Sequence, residues 1–296
     1  MKVLAAALAV ALALAAAPAA AHPPAMVSGF QYDESVWWDG ETGSFYVTNF
    51  GGSSPDPNGR DPDGYITQLS GEGRVRAARW VTGLRSPKGM RRSGGFLYVA
   101  DVGQLVIVDV AAAAVAGTVD LDALGAKFPD DVAVDPASGD AYVSDMLANA
   151  IYRVPSGSRT AEVWLSSPDL EAPNGLLVDG GRLLVAAYGR DLDPATFKPS
   201  QPGRVLTVDL ATKAIAPLGG MGPVGQLDGI EKQGDGYLVT DNPGGRLLRV
   251  GPDGTVVELM TGLTTPADIG WRPGDSVIAI PELSASDVRF FTVGGP

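Results

Sequence analysis

The stretch Ala172-Pro-Asn-Gly-Leu-Leu-Val-Asp-Gly-Gly-Arg-Leu-Leu-Val-Ala186 contains a pattern that returns five more times along the chain. Each copy has a turn with a polar residue, a short apolar run, a second turn rich in Asp, Gly or Arg, and an apolar strand that ends in a small or acidic residue. The residues at the position of Asn174 follow one another at intervals of 54, 42, 44, 54 and 39 residues and are Glu34, Lys88, Asp130, Asn174, Asp228 and Ala267. Intervals of this size are typical of β-propeller blades. The sequence therefore predicts an all-β fold, a six-bladed β-propeller with blades of four antiparallel strands.

The last copy of the pattern has one strand fewer than the others. Propellers remove their exposed sheet edges by closing the ring, and the missing strand can come from the other end of the chain. We expect the segment 25–30 to supply an N-terminal strand that closes blade six. The 39 glycines and 23 prolines among 296 residues agree with many short strands joined by turns.

The first residues have the organisation of a secretory signal peptide. Met1-Lys2 precedes an apolar run that continues to about Ala17, and Pro18 and three alanines follow. We predict that residues 1–21 are removed and that residues 22–296 form one propeller domain. This interpretation makes the protein an exported one, periplasmic or extracellular.

Composition narrows the possible partners. The formal net charge of −12 disfavours nucleic acid and anionic membrane surfaces, so we expect a small-molecule partner, no membrane contact after signal cleavage, and a monomer. The chain has no cysteine and a single histidine, His22, which argues against thiol catalysis and against a serine nucleophile activated by histidine.

The six repeat positions predict a site. Each lies at the start of an innermost strand, so their side chains should meet at one mouth of the central channel, beneath two long insertions at 50–64 and 189–203. Glu34, Asp130 and Asp228 would bring three carboxylates together and Lys88 one ammonium, leaving a formal charge of −2. This charge matches one divalent ion, and oxygen donors suit calcium best, with magnesium, manganese or zinc as alternatives. The competing interpretation is that these Asp and Asn residues only form turns, which they favour.

These turns resemble those of a known family. Glu34-Ser-Val-Trp-Trp-Asp, Pro129-Asp-Asp-Val-Ala-Val-Asp, Pro173-Asn-Gly-Leu and Leu227-Asp-Gly-Ile are similar to the signature turns of the SMP-30/gluconolactonase/LRE-like group of six-bladed propellers. The resemblance implies that one divalent metal is bound by Glu34, Asn174 and Asp228. At Asp130 the family commonly has an Asn that completes the metal shell or contacts the substrate, so the resemblance implies one of these roles for Asp130. It also implies a substrate contact at the following Asp131.

The resemblance implies a metal-dependent hydrolase that opens a lactone or a related ester. Asp228 is then the first candidate for the catalytic base and Asp130 the second. Lys88 departs from the family pattern: it could pair with Asp130, contact a substrate hydroxyl or carboxylate, or occupy the place of the metal. The alternative function is a non-catalytic exported propeller that binds a small ligand or a protein at the channel mouth.

Overall fold

Six sheets of four antiparallel strands make up the computed structural model, which describes residues 25–294. The predicted fold class is confirmed. The predicted signal peptide lies outside the described residues.

The first three blades follow the chain without interruption. Blade one comprises Asp33–Asp39, Ser44–Asn49, Gly64–Ser70 and Val75–Leu84. Blade two comprises Met90–Ser93, Phe96–Asp101, Gln104–Asp109 and Ala114–Asp120. Blade three comprises Pro129–Val134, Ala141–Asp145, Ala150–Val154 and Glu162–Ser166.

The other three blades include an insertion and the closure. Blade four comprises Pro173–Asp179, Arg182–Ala187, Val205–Asp209 and Ile215–Pro217, and its insertion carries a small ribbon, Gly189–Arg190 with Gln201–Pro202. Blade five comprises Leu227–Gln233, Gly236–Asp241, Arg246–Val250 and Val256–Met260. Blade six comprises Gly270–Arg272, Val277–Glu282, Asp287–Thr292 and the N-terminal strand Met26–Ser28.

Helical structure is limited to four 3-10 turns in residues 25–294, at Asp122–Leu124, Pro168–Leu170, Leu218–Gly220 and Pro273–Asp275. In this part of the chain no helix has the length and apolar character needed to cross a membrane.

The hydrophobic core is divided among the contacts between neighbouring blades. Leu105 of blade two packs in one cluster with Val132 and Val143 of blade three. Phe45 of blade one packs in the same way with Phe290 of blade six, with ring centroids 5.3 Å apart. Apolar residues therefore cover both faces of the inner strands, which explains runs such as Leu-Leu-Val-Ala that lack polar alternation.

The innermost strands share an irregularity that positions the channel mouth. In blades one, three, four and five the pairing with the second strand shifts by one residue, for example from Asp33 opposite Asn49 to Val36 opposite Val47. Such a bulge redirects a side chain. It falls in each case on the repeat position identified from the sequence and on the residue after it.

The acidic residue that ends the second strand in several repeats has a structural role. Asp145 accepts hydrogen bonds from the backbone N–H groups of Lys127 and Phe128, at 2.7 and 3.0 Å. Asp101 and Asp241 bind the turns that enter their blades in the same manner. These carboxylates attach each incoming turn to its own blade.

The ring is closed at the seam between blades six and one. Met26–Ser28 pairs with Asp287–Thr292, as the sequence predicts. The backbones of Ser35 and Asp268 form a parallel bridge, and the buried Ser35 hydroxyl donates to Asp268 Oδ2 at 2.5 Å. The seam is thus stabilised by the N-terminal strand at the outer edge of blade six and by a buried hydrogen bond near the channel.

Replacing Ser35 by Ala should destabilise the protein by about 1–3 kcal/mol, because it removes a hydrogen bond from a buried carboxyl group. Ser138 provides a matched control, since its hydroxyl donates to Asp135 Oδ2 at 2.8 Å on the exposed surface. Ser138→Ala should change the free energy of unfolding by less than about 0.5 kcal/mol. Urea denaturation measures both, and equal effects would contradict a special role for the seam contact.

Candidate functional site

Five of the six repeat positions line one cavity. The channel mouth opens into a pocket of about 310 Å³ whose lining includes Glu34, Lys88, Asp130, Asn174 and Asp228. Blade six contributes Leu283 to this lining instead of Ala267. The bulged innermost strands therefore bring together side chains that are up to 194 residues apart in the sequence.

The pocket floor contains three buried carboxyl groups with incomplete hydrogen bonding. Glu34, Asp130 and Asp228 are only 3 to 6 % exposed. Among residues 25–294, Glu34 Oε2, Asp130 Oδ2 and Asp228 Oδ1 have no hydrogen-bond partner. Buried polar atoms are normally paired, so three orphaned carboxyl oxygens in one pocket favour the binding of protons or of a cation.

Burial and mutual repulsion disfavour the charged forms of these carboxyl groups. Burial is the main cause that raises the pKa of Glu34 well above its usual range, and the charges of Asp130 and Asp228 add to it. The pKa of Asp228 is raised in the same way, by burial first and then by Asp130. Burial raises the pKa of Asp130 to about 7, although the Lys88 ammonium opposes that rise.

Lys88 lies at one side of this acidic floor. Its side chain is buried, and its Nζ donates to the carbonyl oxygens of Pro57 at 2.9 Å and Ser86 at 3.4 Å. The ammonium also lies 4.5 Å from the ring centroid of Phe128. The hydrogen bonds and ring contacts formed within residues 25–294 therefore hold Lys88 through carbonyls and an aromatic face and not through a direct ion pair with Asp130.

The two neutral amides of the pocket orient their neighbours. Asn242 Nδ2 donates to Asp228 Oδ2 at 3.0 Å and to the carbonyl of Pro266 at 3.2 Å. Asn174 Nδ2 contacts Met146 Sδ at 3.5 Å. This contact uses the nitrogen of the Asn174 amide and leaves its oxygen available as a donor to a cation.

Asp131 is not part of the pocket lining. Its carboxylate accepts the backbone N–H groups of Leu176 at 2.7 Å and Val132 at 2.6 Å, and a Cβ on Gly89 would lie only 2.0 Å from Asp131 Oδ1. Asp131 therefore links blades two, three and four beneath the site. The substrate contact that the family resemblance implies for it stays a prediction.

A second ring of lining residues escaped the sequence analysis. Each of its members immediately follows the second strand of a blade, and the ring consists of Phe50, Met146, Tyr188, Asn242 and Leu283. The signal was present, because the same repeat that gives the floor places these residues directly after Asn49, Asp145, Ala187, Asp241 and Glu282. Aligning the repeats at the residue after the second strand would have identified them.

Both insertions overhang the pocket, as the sequence predicts. The first supplies Pro55 and Pro57, and the second supplies Phe197. The Phe197 ring meets Phe128 edge-on with centroids 5.3 Å apart. The Phe197 carbonyl accepts a hydrogen bond from Gln226 at 3.3 Å, which attaches the insertion to the turn that enters blade five.

The donor atoms of the pocket decide whether a metal ion fits there. Among residues 25–294, no three Asp, Glu, His or Cys side chains are placed to hold a metal ion by themselves. The set implied by the resemblance has only two carboxylates, Glu34 and Asp228, and takes its third ligand from the amide of Asn174. Because each carboxylate has an orphaned oxygen and every donor is oxygen, the residues present fit a hard divalent cation.

Comparison with known proteins supports the architecture. A family model described as the LVIVD repeat matches residues 90–114. This segment contains the first three strands of blade two and includes Leu105-Val106-Ile107-Val108-Asp109. A search of curated proteins finds no match. The repeat and the six four-stranded blades together fit a β-propeller family.

Proposed function

We propose that the protein is an exported, divalent-cation-dependent hydrolase that opens a lactone or a related ester at the channel mouth. The observation that carries the proposal is the cluster of buried carboxyl groups, Glu34, Asp130 and Asp228, each with an orphaned oxygen in one pocket. The likeness of the turns around them to the SMP-30/gluconolactonase/LRE-like group supports the same activity.

The charge of the pocket favours a divalent cation. Three carboxylates and the Lys88 ammonium leave a formal charge of −2 among side chains that are almost fully buried. Such a cluster is costly unless protons or cations neutralise it. Glu34, Asn174 and Asp228 would hold the ion, and we favour calcium because it accepts carboxylate and amide oxygens in flexible arrangements.

The chemistry would be divided among a few groups. A divalent ion held by Glu34, Asn174 and Asp228 would supply positive charge to polarise the lactone carbonyl. Asp130 would take the proton of the attacking water, since it lines the same pocket and its Oδ2 has no hydrogen-bond partner among residues 25–294. Asp228 also has an orphaned oxygen but serves here as a ligand, oriented by Asn242.

Calcium titration and a hydrolysis assay test the proposal. The untagged mature protein, stripped with chelator, should bind one calcium ion by calorimetry and should hydrolyse aldonolactones, alkyl lactones or aryl esters only after the ion is restored. Glu34→Gln should weaken calcium binding more than about 100-fold, because even the loss of a supporting residue costs 10–100-fold at metal sites.

The exposed Glu258, on the outer strand of blade five, provides the matched control. Glu258→Gln should bind calcium and turn over substrate like the wild type. Calcium binding without turnover of any of these compounds would contradict the hydrolase and favour a ligand-binding propeller. Unchanged calcium binding in Glu34→Gln would refute the proposed ligand set.

A further inference from the structure

The pocket has a second half whose chemistry differs from that of the acidic floor. Its rim is apolar and largely aromatic, with members Phe50, Phe128, Met146, Tyr188, Phe197 and Leu283. Four of these side chains, Phe50, Phe128, Met146 and Tyr188, are buried. Phe128, Met146 and Tyr188 form one packed cluster, against which Phe197 and Leu192 of the second insertion lie. The rim is therefore a preformed wall that a ligand would contact without first having to order it.

The side-chain N–H donors of Asn242 and Lys88 near this rim already have acceptors. Asn242 uses its amide N–H groups on Asp228 and on a backbone carbonyl. Lys88 donates to two carbonyl oxygens. A polyhydroxylated ring leaves each hydroxyl unpaired unless the site supplies a partner, and an unpaired buried hydroxyl is strongly penalised.

The size of the cavity limits the ligand. A volume of about 310 Å³ equals that of roughly ten water molecules at ~30 Å³ each. The acidic floor and its cation would take the reacting ester group, which leaves the remaining space against the aromatic rim for one short substituent.

We propose that this pocket takes a lactone or ester that carries an apolar alkyl or aryl group, seated against the wall formed by Phe128, Met146 and Phe197, in preference to a polyhydroxylated sugar lactone. This inference rests on the hydrolase function proposed above for the same site. It adds the substrate class and names Phe197, on the second insertion, as a specificity-determining residue.

Two lactones with the same six-membered ring test the preference. With calcium present, kcat/KM for δ-decalactone, which carries a pentyl chain, should exceed that for glucono-δ-lactone at least tenfold. Phe197→Ala should lower kcat/KM for δ-decalactone about tenfold, an effect comparable to the loss of a few methylene contacts, and should lower the value for glucono-δ-lactone less. Phe197→Leu should fall between the wild type and Phe197→Ala.

Phe96 provides the control, because its side chain is 40 % exposed on blade two and is not in the pocket lining. Phe96→Ala should leave both rates unchanged. A preference for glucono-δ-lactone, or an equal loss of both rates in Phe197→Ala, would overturn the inference while leaving the hydrolase function standing.

A binding measurement separates this inference from the hydrolase function. The lactam analogue of δ-decalactone, which resists hydrolysis, should bind the wild type by calorimetry and bind Phe197→Ala about tenfold more weakly. If neither lactone is hydrolysed but the lactam binds in this way, the hydrolase function fails and the apolar site holds. If the lactam does not bind, the apolar site is refuted whatever the rates show.

Discussion

Asp228→Asn is expected to stabilise the metal-free protein while removing its calcium binding and lowering its lactone turnover about 10²–10³-fold. The carboxyl group is buried, its Oδ1 has no hydrogen-bond partner within residues 25–294, and its pKa is raised first by burial and then by Asp130. Replacing it with a neutral isostere removes a desolvated charge from an acidic cluster, which should increase the free energy of unfolding by about 1–3 kcal/mol. The same change removes a ligand from the proposed catalytic centre, where one lost contact to a developing charge costs this much in rate.

The opposite signs of the two effects make the test specific to a cation site. Unfolding in urea with excess chelator measures the stability, and calorimetry and lactone hydrolysis measure binding and turnover. Asp235→Asn is the control, because Asp235 is an exposed residue paired with Arg249 on blade five. A metal-free Asp228→Asn protein that is less stable than the wild type would show that the Asp228 charge is compensated within the fold.

The propeller architecture could be predicted from the sequence because every blade has the same structural requirements. Every blade needs a polar turn at the channel, a strand buried on both faces and a turn at the rim, so the same residue types return at each blade interval. The N-terminal strand Met26–Ser28 could be assigned to blade six because the last repeat has one strand fewer than the others, and an open ring would leave a sheet edge unpaired.

The same repeat predicted which residues form the acidic floor of the site, but it did not predict the local backbone or the contacts of their side chains. The position of Glu34, Asp130 and Asp228 at the mouth depends on a bulge that hydrophobic patterning does not show. The environment of Lys88 was also beyond reach, because it depends on carbonyl groups of Pro57 and Ser86 that a loop fold brings together. Loop residues such as Phe197 carry no periodic signal, so only the structure places them on the rim.

Asp33 shows how far one residue can depart from its repeat. The equivalent residues of the other five repeats are Pro87, Pro129, Pro173, Leu227 and Pro266, none of which ionises. Asp33 is fully buried at the seam, and in the described part of the chain neither of its carboxyl oxygens has a hydrogen-bond partner of good geometry. Burial raises its pKa to about 7; the backbone N–H groups of Asp33 and Glu282 oppose that rise, and the carboxylates of Asp287 and Glu282 add to it. Arg289 pairs with Glu282 rather than with Asp33 among the ion pairs of residues 25–294.

Asp33→Asn should therefore make the protein more stable at neutral pH, by an amount that grows with pH. The pKa of Asp33 is higher in the folded protein, at about 7, than its ordinary value of 3.8 in the unfolded chain. The folded wild type therefore keeps its full stability below about pH 4, where Asp33 is protonated in both states. Its free energy of unfolding decreases as the pH rises from about 4 to about 7. The variant lacks this loss, so its advantage over the wild type should be near zero at pH 4 and reach about 2–4 kcal/mol at pH 8. Urea denaturation with chelator at pH 4, 5, 6, 7 and 8 measures the free energy of unfolding of both proteins. Subtracting the wild-type value from that of the variant removes the contribution of Asp130 and Asp131, which titrate in both. Asp235→Asn should show no such trend, and parallel curves for Asp33→Asn and the wild type would mean that Asp33 stays ionised in the folded seam.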